Sequence, residues 1–202
     1  MLMEEEFISS AIVPVQIVDG HLYILLGYEC RYYKNKKKME YHSLGGHREK
    51  NETSMQTAIR EFYEESNQIF PYSFLIDLLI TSQIYKINLY QLTIYFVYME
   101  DNAFTIPEKH KKSLDVKRNE DASMDYLKWF SFDNLQNQVI KKDTESNVSS
   151  GKSAPVAPTE SKVPLSKLVK QLIKKINLHK YIIFNRSLQH QKKINSLLLN
   201  DA

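Results

Sequence analysis

The chain has 202 residues, 25% of them charged and 43% hydrophobic, with a formal net charge of +3. This length suits one domain with extensions, and it is enough to bury about 70% of the surface of the unfolded chain. The single cysteine, Cys30, excludes an intramolecular disulfide. With no apolar run long enough to span a bilayer and no basic-then-apolar leader, the chain is expected to be cytoplasmic, and a nuclear location stays open.

Apolar runs rich in β-formers predict the first strands. Residues 11–18 and 21–27 are of this kind, and Asp19-Gly20 between them is a strong signal for a two-residue hairpin turn. The basic tract 31–38 is predicted to be a loop that precedes the strand leading to Gly45.

A helix is predicted after Thr53. Thr53 is placed to cap its N-terminus, and Gln56 to reach back to the Thr53 amide, which is the reciprocal arrangement of a capping box. An apolar stripe for burial against a sheet follows at helical spacing: Met55, Ala58, Ile59 and Phe62.

Three carboxylates lie beside that stripe on one arc of the helix, namely Glu61, Glu64 and Glu65. Like charges three and four residues apart destabilise an isolated helix by roughly 0.2–0.5 kcal/mol per pair, so a structural role explains them poorly. Mg²⁺ prefers oxygen ligands and often binds through one or two carboxylates plus substrate phosphates. The alternative, a solvated helix face, is the usual fate of such a charge run.

The segment resembles the Nudix box, the sequence motif of the Nudix hydrolase superfamily. The residues in register with that motif are Gly46, Glu52, Arg60, Glu61, Phe62, Glu64 and Glu65. Asn67 replaces the usual final glycine, Gln68 replaces an apolar residue, and Asn51 stands where glycine is common. Asparagine is the best substitute for glycine in the left-handed conformation that often ends a helix, whereas Gln68 suggests a more exposed turn.

The resemblance implies a Nudix-like α/β/α sandwich with a mixed β-sheet and a basic helical C-terminal extension. It also implies an enzyme that hydrolyses a pyrophosphate bond in a nucleoside diphosphate linked to another group, X, with Mg²⁺ or Mn²⁺ held by Glu61, Glu64 and Glu65. Arg60 would orient the loop that carries Glu52, unless it is an ordinary surface arginine. The general base would be Glu61 or a residue of a later loop, such as Glu120 or Asp121.

The glycine pair Gly45-Gly46 belongs to the same resemblance, although it also serves simply to bend the backbone into the helix. Together with Arg60, the pair favours a metal site over a solvated charge run.

Later in the chain, strands are predicted over 74–86 and 89–99 with Asn88 in the turn between them. A hydrophilic loop is predicted over 101–121, followed by a strand over 126–132 with Trp129 buried and then by a helix. The predicted catalytic domain covers residues 1–143 and is followed by a linker or inserted loop, 144–162, rich in Ser, Pro and Thr. An amphipathic basic tail, 163–202, completes the chain and either packs on the domain or is an appendage.

From Lys162 onward there are nine lysines and arginines against one aspartate, so a basic tail follows a more acidic catalytic region. Two basic loops, 31–38 and 109–118, accompany this tail, and the candidate substrate-binding residues are Tyr33, Lys36, Lys37 and Lys38. Together they make capped RNA a plausible substrate, since lysines bind phosphates and tyrosines stack on bases. The same lysines suit a diphosphoinositol polyphosphate, and ADP-ribose is a further alternative. A catalytically inactive RNA- or protein-binding module is the remaining hypothesis, and the intact sequence REFYEE argues against it. The oligomeric state is left open.

Overall fold

A seven-stranded mixed sheet with helices on both faces forms the structure, a computed structural model that describes residues 7–33, 36–81, 85–99, 104–116, 124–145 and 163–176. The strands are β1 Ser9–Val18, β2 His21–Tyr33, β3 Lys36–His42, β4 Leu44–His47, β5 Tyr85–Leu89, β6 Leu92–Tyr98 and β7 Met124–Ser131. The helices are α1 Ser54–Glu65, α2 Tyr72–Thr81, α3 Ile106–Val116 and α4 Phe132–Glu145. A last helix, α5, covers residues 167–176.

The sheet runs in the order β3-β2-β1-β6-β5, while β4 also pairs with β1 and β7 with β2. Only the β1–β6 pair is parallel among these strand pairs of the described chain. Asp19 and Gly20 form the predicted turn between β1 and β2, both with positive φ, as a type I′ hairpin turn requires. The predicted fold class, an α/β/α sandwich with a mixed sheet, is confirmed.

The two faces of the sheet have separate cores, because alternate strand residues point to opposite sides. On what we call the α1 face, Ile12, Leu25 and Val97 pack with α1, α2 and α3. On the opposite face, which we call the α5 face, Val13, Ile24 and many other strand residues pack with α4 and α5.

Three predicted elements differ from the structure. The tract 31–38 is not a loop but the end of β2 and the start of β3, where Arg31 and Lys38 form ion pairs with Glu29 and Glu40. Within 74–86, the first part lies in helix α2, since the run is apolar on both sides of Asp77 and does not alternate as a half-buried strand would. The predicted hydrophilic loop contains helix α3, which buries only Ile106 and His110, a stripe too narrow to be recognised in the sequence.

Smaller differences concern single residues. Asn88 lies in β5, and the turn to β6 is made by Tyr90 and Gln91. The predicted strand over 126–132 is β7, with Trp129 half-buried against Phe104 instead of fully buried, and α4 follows it as predicted. Most of the predicted linker lies outside the described residues, as does the tail beyond residue 176.

The described part of the tail packs on the domain. Residues 163–166 run beside β3, where the Tyr41 amide donates to the Pro164 carbonyl at 2.8 Å and the Ser166 amide donates to the Tyr41 carbonyl at 3.1 Å. The five fully buried apolar side chains of this segment are Leu165, Val169, Leu172, Ile173 and Ile176. They belong to the core of the α5 face.

No helix in the described part of the chain is both long enough and apolar enough to cross a membrane.

Candidate metal and active site

Helix α1 positions the acidic residues of the candidate site. The capping box is present, since the Gln56 amide donates to Thr53 Oγ1 and the Thr53 amide donates to Gln56 Oε1. Ala58, Ile59 and Phe62 are buried and Met55 is partly buried, which confirms the predicted stripe. The helix is therefore fixed on the sheet in one rotation, with its carboxylates beside the end of β4.

The glycine pair of β4 brings the sheet close to these carboxylates. A Cβ on Gly45 would lie closer than 3.0 Å to the backbone of Ser10 and Ala11, and a Cβ on Gly46 would lie that close to the carboxylate of Glu61. The Gly45 amide donates a hydrogen bond to Glu65 Oε2, and Glu65 is buried. Both glycines are therefore needed for close approach, and not only for a turn.

Arg60 joins the loop to the helix through one guanidinium group. Its Nε and Nη2 donate to the two oxygens of Glu52 at 2.8 and 3.2 Å, and Nη2 also donates to the His47 carbonyl at 2.8 Å. Its Nη1 donates to Glu61 Oε1 at 2.9 Å and to Glu64 Oε2 at 3.0 Å. A planar fork of donors suits a carboxylate bound through both oxygens, and this geometry is the one that the resemblance implies for Arg60 and Glu52.

The carboxylates of this network have opposite pKa shifts. The hydrogen bonds from Arg60 lower the pKa of Glu52 to about 2, although partial burial opposes them. Burial raises the pKa of Glu61, and the charge and hydrogen bond of Arg60 only partly offset that effect. Glu52 is thus a permanently ionised anchor, whereas Glu61 is a more basic carboxylate, the property that a proton acceptor needs.

The asparagines that depart from the box adopt backbone conformations that glycine usually takes. Asn51 has φ 70°, and Asn67 has φ 55°, just after the end of α1. Gln68 also has positive φ and is exposed, as its polar character suggested. Asn67 is buried and donates to Ser113 Oγ on α3 at 3.0 Å, a contact that glycine could not make. Here asparagine ties the end of α1 to α3.

The fit of a divalent cation can be judged from the carboxylate oxygens. Glu61 and Glu64 converge on a single point, which the Nη1 nitrogen of Arg60 occupies, and they offer the oxygen ligands that Mg²⁺ and Mn²⁺ prefer. Glu65 is turned to the Gly45 amide. Within the described residues, no three His, Cys, Asp or Glu side chains form a ready metal-binding group. Glu61 and Glu64 thus fit a cation, and Glu65 would join them through its other oxygen or after a change of rotamer.

The remaining predicted residues are not all beside this network. Lys36 and Lys38 lie on one face of β3 and Lys37 on the other, and Lys38 Nζ is 2.7 Å from Glu40 Oε1. Tyr33 is the last residue of β2. Glu120 and Asp121, the candidate bases of the later loop, lie outside the described residues.

Two contacts in the site were missed in the sequence. Thr57 Oγ1 donates to Glu52 Oε2 at 2.8 Å, so a threonine inside α1 helps to hold the loop. The His47 carbonyl accepts from Arg60, and no side-chain pattern reports a backbone acceptor. In the sequence, the contact between Thr57 and Glu52 is indicated by nothing more than their spacing of five residues.

Solved structures similar to this chain include proteins described as NUDIX. A NUDIX hydrolase from Nitrosomonas europaea aligns at a TM-score of 0.40 and 16% identity, covering 85% of this chain and 90% of that one. The NUDIX domain of Shewanella oneidensis NrtR, complexed with ADP ribose, gives 0.39 and 15% over 72% and 91% of the two chains. The C. elegans Ap4A hydrolase gives 0.36 and 14% over 69% and 92%. No protein-family model and no curated protein sequence matches the chain.

The chain resembles Nudix hydrolases. The Nudix box residues and their contacts, from Gly45 to Asn67, carry this interpretation.

Proposed function

We propose that the protein is a Nudix hydrolase that cleaves a pyrophosphate bond in a nucleoside diphosphate linked to X, with Mg²⁺ or Mn²⁺. The observation that carries the proposal is the convergence of Glu61 and Glu64 on one point beside Gly46, held there by Arg60. Three carboxylates accept hydrogen bonds from that single guanidinium and a fourth, Glu49, lies 3.9 Å from it, so the network has a surplus of negative charge that a divalent cation would neutralise.

Each residue of the network has a task in this proposal. Glu52, ionised and bound through both oxygens, fixes Arg60 and with it the loop before α1. Glu61 and Glu64 would hold the cation, and Glu65, whose Oε2 accepts from the Gly45 amide, would join them through its other oxygen or after a change of rotamer. When bound, the cation would neutralise the diphosphate and acidify an attacking water. Glu61, or Glu120 of the later loop, would accept the proton of that water.

We propose the 5′ cap of mRNA as the preferred substrate, with ADP-ribose as an alternative within the same class and a diphosphoinositol polyphosphate as an alternative outside it. Lys36 and Lys37 are exposed near the end of the β2–β3 hairpin, on opposite faces, where they would meet the phosphates of a polyanion. The ion pairs of Arg31 and Lys38 with glutamates reduce the positive charge of the same hairpin, which weighs against a highly phosphorylated inositol.

A substrate panel tests the proposal. The purified protein is incubated with Mg²⁺ or Mn²⁺ and with cap-labelled RNA, free cap dinucleotide, ADP-ribose, dinucleoside polyphosphates and diphosphoinositol phosphates, and the products are identified. Release of methylated GDP from capped RNA is the expected result. Cleavage of ADP-ribose alone would contradict the cap as substrate, and turnover of none of them with metal bound would favour a non-catalytic binding module.

A further inference from the structure

A second polar cluster lies on the α1 face, and the proposed hydrolysis does not use it. On the paired strands β2 and β3, Glu29 is opposite Glu40 and Gly27 is opposite His42. The three polar side chains share one face of the hairpin because they lie at alternate positions. They are nearly inaccessible, with Glu29 3%, Glu40 5% and His42 4% exposed.

Two long cations cover these carboxylates from the next positions on the same face. Arg31 Nε forms an ion pair with Glu29 Oε1, and Lys38 Nζ lies 2.7 Å from Glu40 Oε1. The side chains of Arg31 and Lys38 are 41% and 54% exposed, so an outward rotation of either would not disturb the core. The two cations and two carboxylates balance, and the cluster has no net charge when His42 is neutral.

His42 supplies the observation that points to a ligand. Its Nε2 atom is buried, has no hydrogen-bond partner and lies 3.8 Å from Glu29 Oε1, beyond hydrogen-bond distance. Burial and the nearby charges of Arg31 and Lys38 lower the pKa of His42 to about 4, so at neutral pH the ring is uncharged and the contact with Glu29 is not an ion pair. A buried polar atom without a partner is costly unless something else satisfies it.

The position of the cluster suits the nucleoside end of the proposed substrate. Gly27 abuts Met124, which packs in the same core as α1, so the cluster is on the catalytic side of the sheet. His42 is three residues before Gly45, and three extended residues span at most about 11 Å. This separation is comparable to the length of a nucleoside diphosphate from its phosphates to its base.

We propose that Glu29, Glu40 and His42 form a base-recognition subsite that selects guanine in the substrate. This inference rests on the proposed function for its placement of the diphosphate. A carboxylate only accepts hydrogen bonds, and it can accept two through its two oxygens. Guanine presents adjacent N–H donors at N1 and at the N2 amino group. Adenine, by contrast, would place the lone pair of its N1 against the carboxylate, leaving buried polar groups unsatisfied.

The cations of the cluster have a role in the same subsite. When a base approaches, Arg31 and Lys38 would rotate from the carboxylates towards the phosphates of the nucleotide, and Glu29 or Glu40 would accept from the base instead. The Nε2 of His42, in the tautomer that carries its proton on this atom, would donate to O6 of guanine, an acceptor that an N7-methylated cap guanine also keeps. A neutral ligand group with donors matches the balanced charge of the cluster, whereas a phosphate placed against two carboxylates does not.

Equilibrium binding without turnover tests the subsite. Isothermal titration calorimetry compares GDP with IDP, which lacks the N2 amino group, with 1-methyl-GDP, which lacks the N1 donor, and with ADP, all on the full-length wild-type protein. We expect GDP to bind roughly 10- to 100-fold more tightly than the other three. Because these changes are made in the ligand, the comparison does not depend on a variant that folds.

Substitution then locates the preference. Glu29→Gln should remove most of the discrimination between GDP and IDP, while Glu108→Gln, an exposed carboxylate on α3, should leave it unchanged. No binding of GDP, equal binding of the four nucleotides, or an unchanged preference in a folded Glu29→Gln protein would overturn the subsite. Guanine preference without hydrolysis of any panel substrate would support the subsite and contradict the proposed function. Hydrolysis without guanine preference would support the proposed function and contradict the subsite.

Discussion

The α1 face and the α5 face of the sheet differ in what they bury. On the α1 face, buried or half-buried charged groups occur in two clusters. The Arg60 network consists of Arg60 and its glutamate partners, and the β2–β3 hairpin cluster consists of Glu29, Arg31, Lys38, Glu40 and His42. The α5 face packs mainly aliphatic and aromatic side chains from α4, α5 and the strands. Polar groups are costly to bury and are held in place by hydrogen bonds, whereas apolar area is the main source of stability. Both faces thus have an apolar core, and these charged clusters are confined to one of them within the part of the chain that the structure describes.

The two charged clusters also differ from each other. In the Arg60 network one guanidinium pairs with four carboxylates, including Glu49 at 3.9 Å, which leaves a surplus of negative charge. In the hairpin cluster two cations face two carboxylates, and the histidine is neutral. A negative surplus favours a cation, and a balanced cluster favours a neutral hydrogen-bonding group. The same residue types therefore suit different ligands because their ratio differs.

The largest expected effect follows from removing the tail helix of the α5 face. A chain that ends after Lys162 loses the buried side chains of α5, and each comparable Leu or Ile truncation to Ala already costs about 2–5 kcal/mol against a total stability of about 5–15 kcal/mol. We expect this chain not to fold cooperatively, as measured by thermal unfolding with circular dichroism. A chain that ends after Ile176 retains every contact described for α5 and is the matched control.

If the chain that ends after Lys162 melts as sharply and at the same temperature as the control, α5 is an appendage and the contrast between the two faces is wrong. The same pair of chains tests the RNA role proposed for the basic tail. Loss of RNA affinity in the folded chain ending after Ile176 would assign that role to the residues beyond α5.

On the α1 face, substitution of a candidate metal ligand should affect activity and not stability. Glu64→Gln removes one of the two carboxylates that converge on Arg60 Nη1, and it lies off the buried stripe of α1. We expect hydrolysis of an active substrate to fall by about 100- to 1,000-fold, with a melting temperature close to that of the wild type. Mn²⁺ affinity, measured by calorimetry, should fall in parallel, and Glu108→Gln on α3 should change neither quantity.

Near-normal Mg²⁺-dependent turnover by Glu64→Gln would show that the cation is not held there. A large loss of stability with unchanged Mn²⁺ affinity would instead give Glu64 a structural role through Arg60.

Features that depend only on neighbouring residues of the chain could be predicted from the sequence, and features that depend on the register between two elements could not. The capping box, the stripe of α1 and the Asp19-Gly20 turn are local, and each was predicted. The pairing of Glu29 with Glu40 is not predictable in this way, because it appears only once β2 and β3 are aligned, and the sequence predicts a loop for the basic tract 31–38. Helix α2 is predicted as a strand because periodicity alone does not distinguish a fully buried strand from a segment of a buried helix.

The smallest expected effect separates the hairpin cluster from the Arg60 network by its response to pH. His42 has a pKa of about 4 in the folded protein and about 6.5 when unfolded. Between these values the unfolded chain binds a proton that the folded chain does not, so the free energy of unfolding should fall as the pH decreases from about 6.5 to 4, by about 3 kcal/mol at most. Above pH 6.5 the ring is neutral in both states, and this contribution to stability is constant.

Urea unfolding of the wild type and of His42→Gln at several pH values measures this contribution, because the difference between the two proteins cancels the other titrating groups they share. The difference should shift in favour of His42→Gln as the pH falls through this window, since glutamine does not titrate. A parallel pH dependence in both proteins would mean that His42 has the same pKa in the folded and unfolded chains, and a difference that shifts in favour of the wild type would mean that His42 is protonated in the fold and paired with Glu29. The hairpin cluster would then carry a positive charge, and the argument that it holds a neutral base would fail.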